Sequence, residues 1–291
     1  MIRSVGTVLV LLVSALDAGA QSPPQAISTY DTGVGHGNPT VPTAQSELPN
    51  SLSGVVLTWD YYAPAKTVIF HALNNSGKDI TGYSIVIRNK LPDGTMEKGG
   101  WTASGSEMLW AFVRMQMAKD AGEERVRNDI FATGTTRDTN MTGFDEAPNF
   151  DVAVGTVFYA DGSYDKQEEG VFKQMLADRQ NRLLTMKKTN EIIQSALATS
   201  NDHPVAVAIT ELAKSAAETM ATGNSETLYD HLKVGEVQMV IQNLKNFQRP
   251  SYSGPQQDKT ERERLTQYLE EQEKEVELMT PHCHLEIELK S

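Results

Sequence analysis

Between residues 51 and 164 apolar side chains recur at every second position, the period at which a strand turns alternate residues to one face. Val55, Leu57 and Trp59 alternate with Val56, Thr58 and Asp60; Val68 and Phe70 with Ile69 and His71; Tyr83, Ile85 and Ile87 with Ser84, Val86 and Arg88. β-Branched and aromatic residues dominate these runs, as a pleated, half-buried surface requires. Asn74-Asn75-Ser76-Gly77 and Pro92-Asp93-Gly94 separate them with residues that accept positive φ or preset a turn. Val152 to Tyr159 adds a further strand, closed by Asp161-Gly162. Short strands divided by turn signals predict an antiparallel β-sandwich over 51–164. Glu107 to Asn128 fits either period, because Trp110, Val113 and Met117 keep helical spacing while Phe112 and Arg114 alternate. A short helix or an irregular crossover is the expectation there.

From Asp165 the period becomes helical. Phe172, Met175, Met186, Ile193 and Leu197 fall near one face, with Leu176, Leu183 and Asn190 beside them, in a run without Gly or Pro after Gly170. Pro204 opens a second helix, since its missing donor costs nothing in a first turn. Val205, Ala208, Leu212, Ala216 and Met220 line that helix, and Gly223-Asn224 stops it. Leu228 to Phe247 carries a third, ended by Arg249-Pro250. Thr260 and Glu263 have the spacing of a capping box and start a fourth, strongly acidic helix, with Glu270 and Lys274 placed for an i,i+4 pair. Pro281 is expected to close it, and Leu285, Ile287 and Leu289 alternate as a final strand or tail over 281–291. The fold class expected is therefore α+β: an N-terminal sandwich, then a helical region of three to four helices over 165–280.

The N-terminus adds an address. Arg3, the apolar run Val8 to Val13 and the small-x-small ending Ala18-Gly19-Ala20 have the pattern of a signal peptide over 1–20, with cleavage before Gln21. That run is too short to span a bilayer, and no later stretch reaches the length needed, so stable membrane insertion after cleavage is not expected. The destination expected is periplasmic or extracellular. Residues 21–50, with five prolines from Pro23 to Pro49 and His36 between two glycines, read as a flexible linker.

Composition narrows the partners. The formal net charge is −12, and losing Arg3 together with Asp17 would leave it unchanged. No basic face accompanies it, which argues against nucleic acid as a partner. Cys283 is the single cysteine, so no intramolecular disulfide is possible and stability must come from a core.

His282-Cys283-His284 is the most suggestive chemical cluster, because imidazole and thiolate are preferred ligands of zinc and copper. In a strand His282 and His284 would share a face, with His71, His203 or His231 needed to complete the site. A solvated or partly buried polar strand carrying a free thiol is the simpler alternative. Asp138-Thr139-Asn140-Met141-Thr142-Gly143 resembles the start of a calcium loop, although the twelfth position, normally a bidentate Glu, is Asn149; Asp145, Glu146 and Asp151 stand nearby as further oxygen donors. Ser163-Tyr164-Asp165-Lys166 matches the S-x-x-K pattern of serine enzymes, but the companion motifs are missing, and no other catalytic motif occurs. Asn74-Asn75-Ser76 and Asn140-Met141-Thr142 fit the glycosylation pattern and are expected to mark exposed turns.

The segments Asn74 to Tyr83 and Tyr159-Ala160-Asp161-Gly162-Ser163, together with the helices that follow, resemble uncharacterised exported proteins of soil bacteria such as Acidobacteria. That resemblance brings no activity with it. Val55 to Tyr159 also resembles the immunoglobulin-like and fibronectin-like sandwiches, which host many functions. The leading expectation is an exported, non-enzymatic interaction protein binding another protein or an envelope component. The rival is a metal-binding protein or metal-dependent hydrolase built on His282, Cys283 and His284, with zinc or calcium as the cofactor to consider. A self-associating helical module is a third possibility.

Overall fold

A computed structural model describes residues 51–91, 93–122, 130–144, 149–222, 233–248 and 259–283. Over the described residues the chain is α+β, with two antiparallel sheets and five helices that are mostly C-terminal. The first sheet joins β1 (Ser51–Leu52), β2 (Val55–Tyr62), β3 (Thr67–Asn74) and β6 (Thr136–Thr142) in that order. The second has the order β5-β4-β7-β8, from β4 (Ile80–Lys90), β5 (Met96–Glu107), β7 (Phe150–Tyr159) and β8 (Tyr164–Lys166). Two of these strands, β5 and β6, lie where no alternation of apolar residues announces them. In β6 most side chains are exposed, and polar residues suffice at a sheet edge.

The inner faces of the two sheets share one apolar cluster, in which Val55, Leu57 and Trp59 meet Tyr83, Ile85, Val152 and Val154. The Trp59 and Phe150 rings stand 4.7 Å apart across it. Strands β4 and β7 of the second sheet are buried on both faces, because Val86 and Phe158 turn outward and pack against Val171, Phe172 and Leu176 of α2 (Glu169–Ala198). Strands covered on both sides read as continuous apolar runs.

Two β-bulges keep that arrangement in phase. Ser84 pairs with Thr156 but Ile85 with Val154, so Gly155 is the extra residue of β7. Val152 and Val154 before it, and Val157 and Tyr159 after it, therefore point into the same core although their parity differs. Thr81 is the corresponding extra residue of β4, between Ile80, opposite Tyr159, and Gly82, opposite Phe158. The carbonyl of Gly155 accepts from the backbone N–H of Gln167 and Glu168, at 2.8 and 2.9 Å, and so fixes where α2 begins. A Cβ at Gly155 would lie 2.5 Å from Val86 Cγ2 and 2.8 Å from Ser84 Oγ. Gly155→Ala is expected to cost about 1–3 kcal/mol through overpacking, seen as a lower urea midpoint; a midpoint equal to wild type would show that the bulge has room to relax.

The uncertain stretch after Glu107 resolves into α1 (Leu109–Asp120), followed by Gly122 at φ +75°. Helix α3 (Pro204–Thr222) begins at the proline that announced it, and α4 covers Val234–Phe247. At the start of α5 (Glu261–Cys283) the capping box forms: Thr260 N–H donates to Glu263 Oε2 at 2.8 Å and Glu263 N–H to Thr260 Oγ1 at 3.2 Å. Lys274 pairs with Asp120 of α1 at 3.1 Å, the ion pair that holds it in place of the expected partner Glu270. The first turn of α5 also closes the neighbouring helix ends. Arg262 donates to the carbonyls of Leu197, Thr199 and Asn201, and Glu261 accepts from Val205 N–H.

One expectation is corrected at the far end. Pro281 does not close α5, and His282 and Cys283 are helical rather than strand residues. Proline removes one helix hydrogen bond, and tertiary contacts offset the loss. Cys283 is fully buried, its Sγ–H faces Arg179 O at 3.6 Å, and Gln180 of α2 donates to the Cys283 carbonyl at 3.1 Å. The segments expected to form a signal peptide, a linker and a final strand or tail after Cys283 lie outside the described residues. Among the described residues no helix is long and apolar enough to cross a membrane.

Candidate functional site

Three tight turns meet at one end of the sheets and enclose a cavity of about 290 Å³. The first is the β1–β2 hairpin, whose Ser53 and Gly54 both take positive φ, +50° and +89°, as a two-residue primed turn demands. The second joins β3 to β4 and contributes Ser76 and Lys78. The third joins β7 to β8 and contributes Tyr159, Ser163, Tyr164 and Asp165.

Asn74 organises the second turn. It is fully buried, donates from Nδ2 to the carbonyls of Lys78 and Phe131 at 2.9 Å, and accepts from Ser76 N–H and Oγ–H at 3.1 and 2.6 Å. The glycosylation pattern at Asn74 thus marks a buried Asx turn, not the exposed turn expected. The turn is pinned to the first hairpin, since Asn75 N–H donates to Gly54 O at 2.9 Å. In the third turn Gly162, at φ +83°, sends its N–H to Tyr159 O, and Asp161 Oδ1 accepts from Ser163 N–H at 2.9 Å.

An ion pair joins the second and third turns. Lys78 Nζ lies 2.8 Å from Asp161 Oδ2, donates to Ser163 Oγ at 2.9 Å and stands 5.1 Å over the Tyr159 ring. The Asn74 to Tyr83 and Tyr159 to Ser163 segments, far apart in sequence, are thus in contact. The hydrogen bond from Lys78, followed by those from Ser163, holds the Asp161 carboxyl down at about 2. Burial, then the hydrogen bond to Asp165 at 2.8 Å, pushes the Tyr159 phenol well up, so it stays protonated. Because the Asp161 value is depressed in the folded chain, its contribution is complete above the ordinary carboxylate value and disappears as pH falls toward 2. A carboxyl NMR titration is expected to give Asp161 a midpoint near 2, and Lys78→Ala to return it toward the ordinary value; a normal midpoint in the unmutated protein would show that the ion pair does not persist in water.

This geometry does not make a serine–lysine enzyme. Ser163 Oγ–H is directed at Asp161 Oδ1, 2.5 Å away, and Lys78 donates to Ser163 instead of accepting its proton. Lys166, the lysine of the S-x-x-K pattern, points elsewhere, to Glu169 at 2.6 Å and over the Phe172 ring. What the cleft presents is a set of hydroxyls, phenols and one paired charge. A larger open depression of about 610 Å³ lies on the first turns of α5, over Lys259, Arg262 and Glu263, where Arg262 is already engaged by helix-end carbonyls.

Of the residues singled out as metal ligands, the described ones, His282, Cys283, His203 and His71, stand in separate surroundings. His282 is buried edge-on to Phe112, with ring centroids 5.3 Å apart. Burial, with Arg179 nearby, pushes its pKa down. Cys283 packs toward α2, and burial pushes its thiol up to about 12, away from the thiolate that metals bind. His284 and His231 lie outside the described residues. His203 is exposed, 3.8 Å from Glu261. His71 is on the outer face of the first sheet, between Asp138 at 2.7 Å and Asp60 at 3.3 Å, with the carboxylates on its two different ring nitrogens. Among the described residues no three acidic, histidine or cysteine side chains are placed to share a metal ion. Asp138 and Asn140, expected at the start of a calcium loop, belong to the extended strand β6. Asp151 pairs with Lys90 at 3.2 Å, and Asp145 and Glu146 are outside the described residues.

A second polar cluster escaped the sequence reading. Arg179, on the apolar face of α2, is 3% exposed and donates through Nε and Nη2 to the two Glu107 carboxylate oxygens at 2.8 and 2.9 Å. Its Nη2 also reaches the carbonyl of the bulged Thr81 at 3.0 Å, and the guanidinium lies 4.1 Å from the Phe158 ring centroid. The available signal was a charged residue at helical spacing between Leu176 and Leu183. This cluster is a junction between α2, β4 and α1, since Glu107 also accepts from the first N–H of α1.

No protein-family model matches this chain, and no curated protein matches it either. Among solved structures, a hypothetical protein from Peptoclostridium difficile 630 aligns over 42% of this chain and 88% of that one, at 13% identity and a TM-score of 0.23. A likeness of that size carries no argument about fold or function.

Proposed function

We propose that this chain is an exported, non-enzymatic binding protein of the cell envelope or the extracellular space, whose partner is a protein or envelope component. The observation that carries this reading is the cleft at the turn end of the sheets. Its polar groups are donors and acceptors held by one another, and the one serine–lysine contact runs in the wrong direction for nucleophilic attack. Such a surface recognises without reacting. The two facing antiparallel sheets over 51–166 support an immunoglobulin-like or fibronectin-like sandwich as the framework, with the cleft in the place where sandwich loops gather. The segment Met1 to Ala20 and the resemblance to exported soil-bacterial proteins support export.

Binding is tested by co-sedimentation of the purified protein with isolated envelope material. Saturable retention that unlabelled protein displaces is the expected result; a protein that stays in the supernatant at every concentration overturns the reading. Export is tested by sequencing the N-terminus of the product, which is expected to begin at Gln21.

A second reading, a metal-binding protein or metal-dependent hydrolase on His282, Cys283 and His284, is favoured by one observation: His282 Nδ1 is buried without a hydrogen-bond partner among the described residues. Stoichiometric zinc, lost in a His282→Ala, His284→Ala double variant, would support it. Metal-free protein after gentle purification would end it.

A further inference from the structure

We propose that the cleft between the three turns takes a neutral, polyhydroxylated ligand, a sugar unit of an envelope glycan; this rests on the binding reading above and names its ligand class. At about 290 Å³ the cavity sits at the lower limit of small-ligand pockets, which start near about 300 Å³, and suits a single ring better than an extended peptide.

The charges at the cleft select against ions of either sign. Asp165 stands at its wall, Asp161 neutralises the lining Lys78, and the chain carries a net charge of −12, all of which oppose an anion. The Lys78 ammonium already lies over the Tyr159 ring, the face on which a cationic ligand would otherwise rest, and it repels a second cation. An apolar ligand would strip water from hydroxyls and charges that it cannot bond. What remains is a neutral ligand that both donates and accepts.

The arrangement of hydroxyls fits that ligand. Ser53, Ser76 and Ser163 come from three different turns, so their groups surround the space from separate sides. Ser76 and Ser163 already send their hydroxyl protons to Asn74 Oδ1 and Asp161 Oδ1 and each accept from Lys78, so each keeps one lone pair that a sugar hydroxyl can donate to. Tyr159 stays a phenol, and only Oδ2 of Asp165 is engaged by it, at 2.8 Å. Tyr164 supplies an aromatic surface that does not move freely, because its ring stacks on the buried Phe172 at 4.7 Å. Ser53, whose side chain hydrogen-bonds to the Tyr159 phenol, lines the cleft at φ +50°, a conformation that glycine would adopt without strain.

The backbone of Ser53 supplies the test. Ser53→Gly removes the hydroxyl while suiting the local φ, so the variant is expected to fold at least as well as wild type. The purified protein is titrated with cellobiose, N,N′-diacetylchitobiose and maltose while backbone NMR shifts are followed. Saturable shifts centred on Ser53, Ser76, Ser163 and Tyr164 are expected for at least one sugar, with Kd on the order of 1 mM. Ser53→Gly is expected to weaken that binding about tenfold, and Tyr164→Phe, which keeps the ring, to weaken it less. No saturable shift with any of the three sugars, or shifts centred elsewhere, overturns the glycan assignment. If the sugars fail while Ser53→Gly still co-sediments with envelope material as wild type does, the glycan assignment falls and the binding reading stands; if the protein also stays in the supernatant, both fall. A protein ligand that occupies the cleft in the absence of sugar likewise overturns the glycan proposal.

Discussion

Replacing Arg179 by alanine is expected to lower the unfolding free energy by about 3–5 kcal/mol, read as a fall in the urea midpoint. The guanidinium is almost wholly buried, its two donors are matched to the Glu107 carboxylate, and it bonds the Thr81 carbonyl, which also accepts from Met108 N–H at 2.8 Å. Alanine would leave that carbonyl without its guanidinium donor and Glu107 without its counter-charge, and would open space beside the Phe158 ring. Arg179→Met keeps the volume and is expected to lose less. Glu107, 29% exposed at its side chain, recovers part of its hydration when unpaired, so Glu107→Gln is expected to be milder than Arg179→Ala. A cost below about 1 kcal/mol for Arg179→Ala would mean that the junction contributes no more than an exposed ion pair does.

The second large effect is expected at Phe172. Its ring is fully buried against Phe158, at 5.4 Å and 13°, and against Tyr164, at 4.7 Å and 28°. Phe172→Ala should cost about 3–5 kcal/mol, the sum of lost transfer energy and a cavity that the Phe158 and Tyr164 rings cannot collapse into. Phe172→Leu should recover much of it. The change reaches the cleft as well, since Tyr164 loses the surface that backs it. Near-ultraviolet circular dichroism, which reports ordered aromatic side chains, should weaken in the alanine variant even well below its melting temperature. An unchanged spectrum together with an unchanged urea midpoint would show that α2 is anchored elsewhere.

Helix positions were the most readable part of the chain, because each carries its own punctuation. Pro204 opens α3, and Thr260 with Glu263 opens α5. Strand content was readable where a strand has an apolar face. It was not in β5, whose Gly and Ser residues show no alternation, nor in β6, whose polar side chains face solvent at an edge. The bulges at Thr81 and Gly155 were hidden for a related reason: an inserted residue shifts the phase of a period-two pattern without breaking it. For the cleft, the turn residues were visible but their meeting was not, since it depends on strand register across two sheets. The helical placement of His282 and Cys283 was not readable from their adjacency. Neighbours in a helix point about 100° apart, and here His282 meets the Phe112 ring while the Cys283 thiol faces the Arg179 carbonyl.

The return of α5 to the middle of α2 has a kinetic consequence. Strands β1 to β3 and β7 to β8 pair through local turns and need only short loops to close. The contact of Cys283 with Arg179 spans 104 residues and requires nearly the whole of the helical region to be in hand. Until α5 arrives, the α2 face around Leu183 and Met186 that packs with Met279 is left uncovered. Folding should therefore be slow in its last phase, with the exposed α2 face as the aggregation hazard of any chain halted before that helix is made.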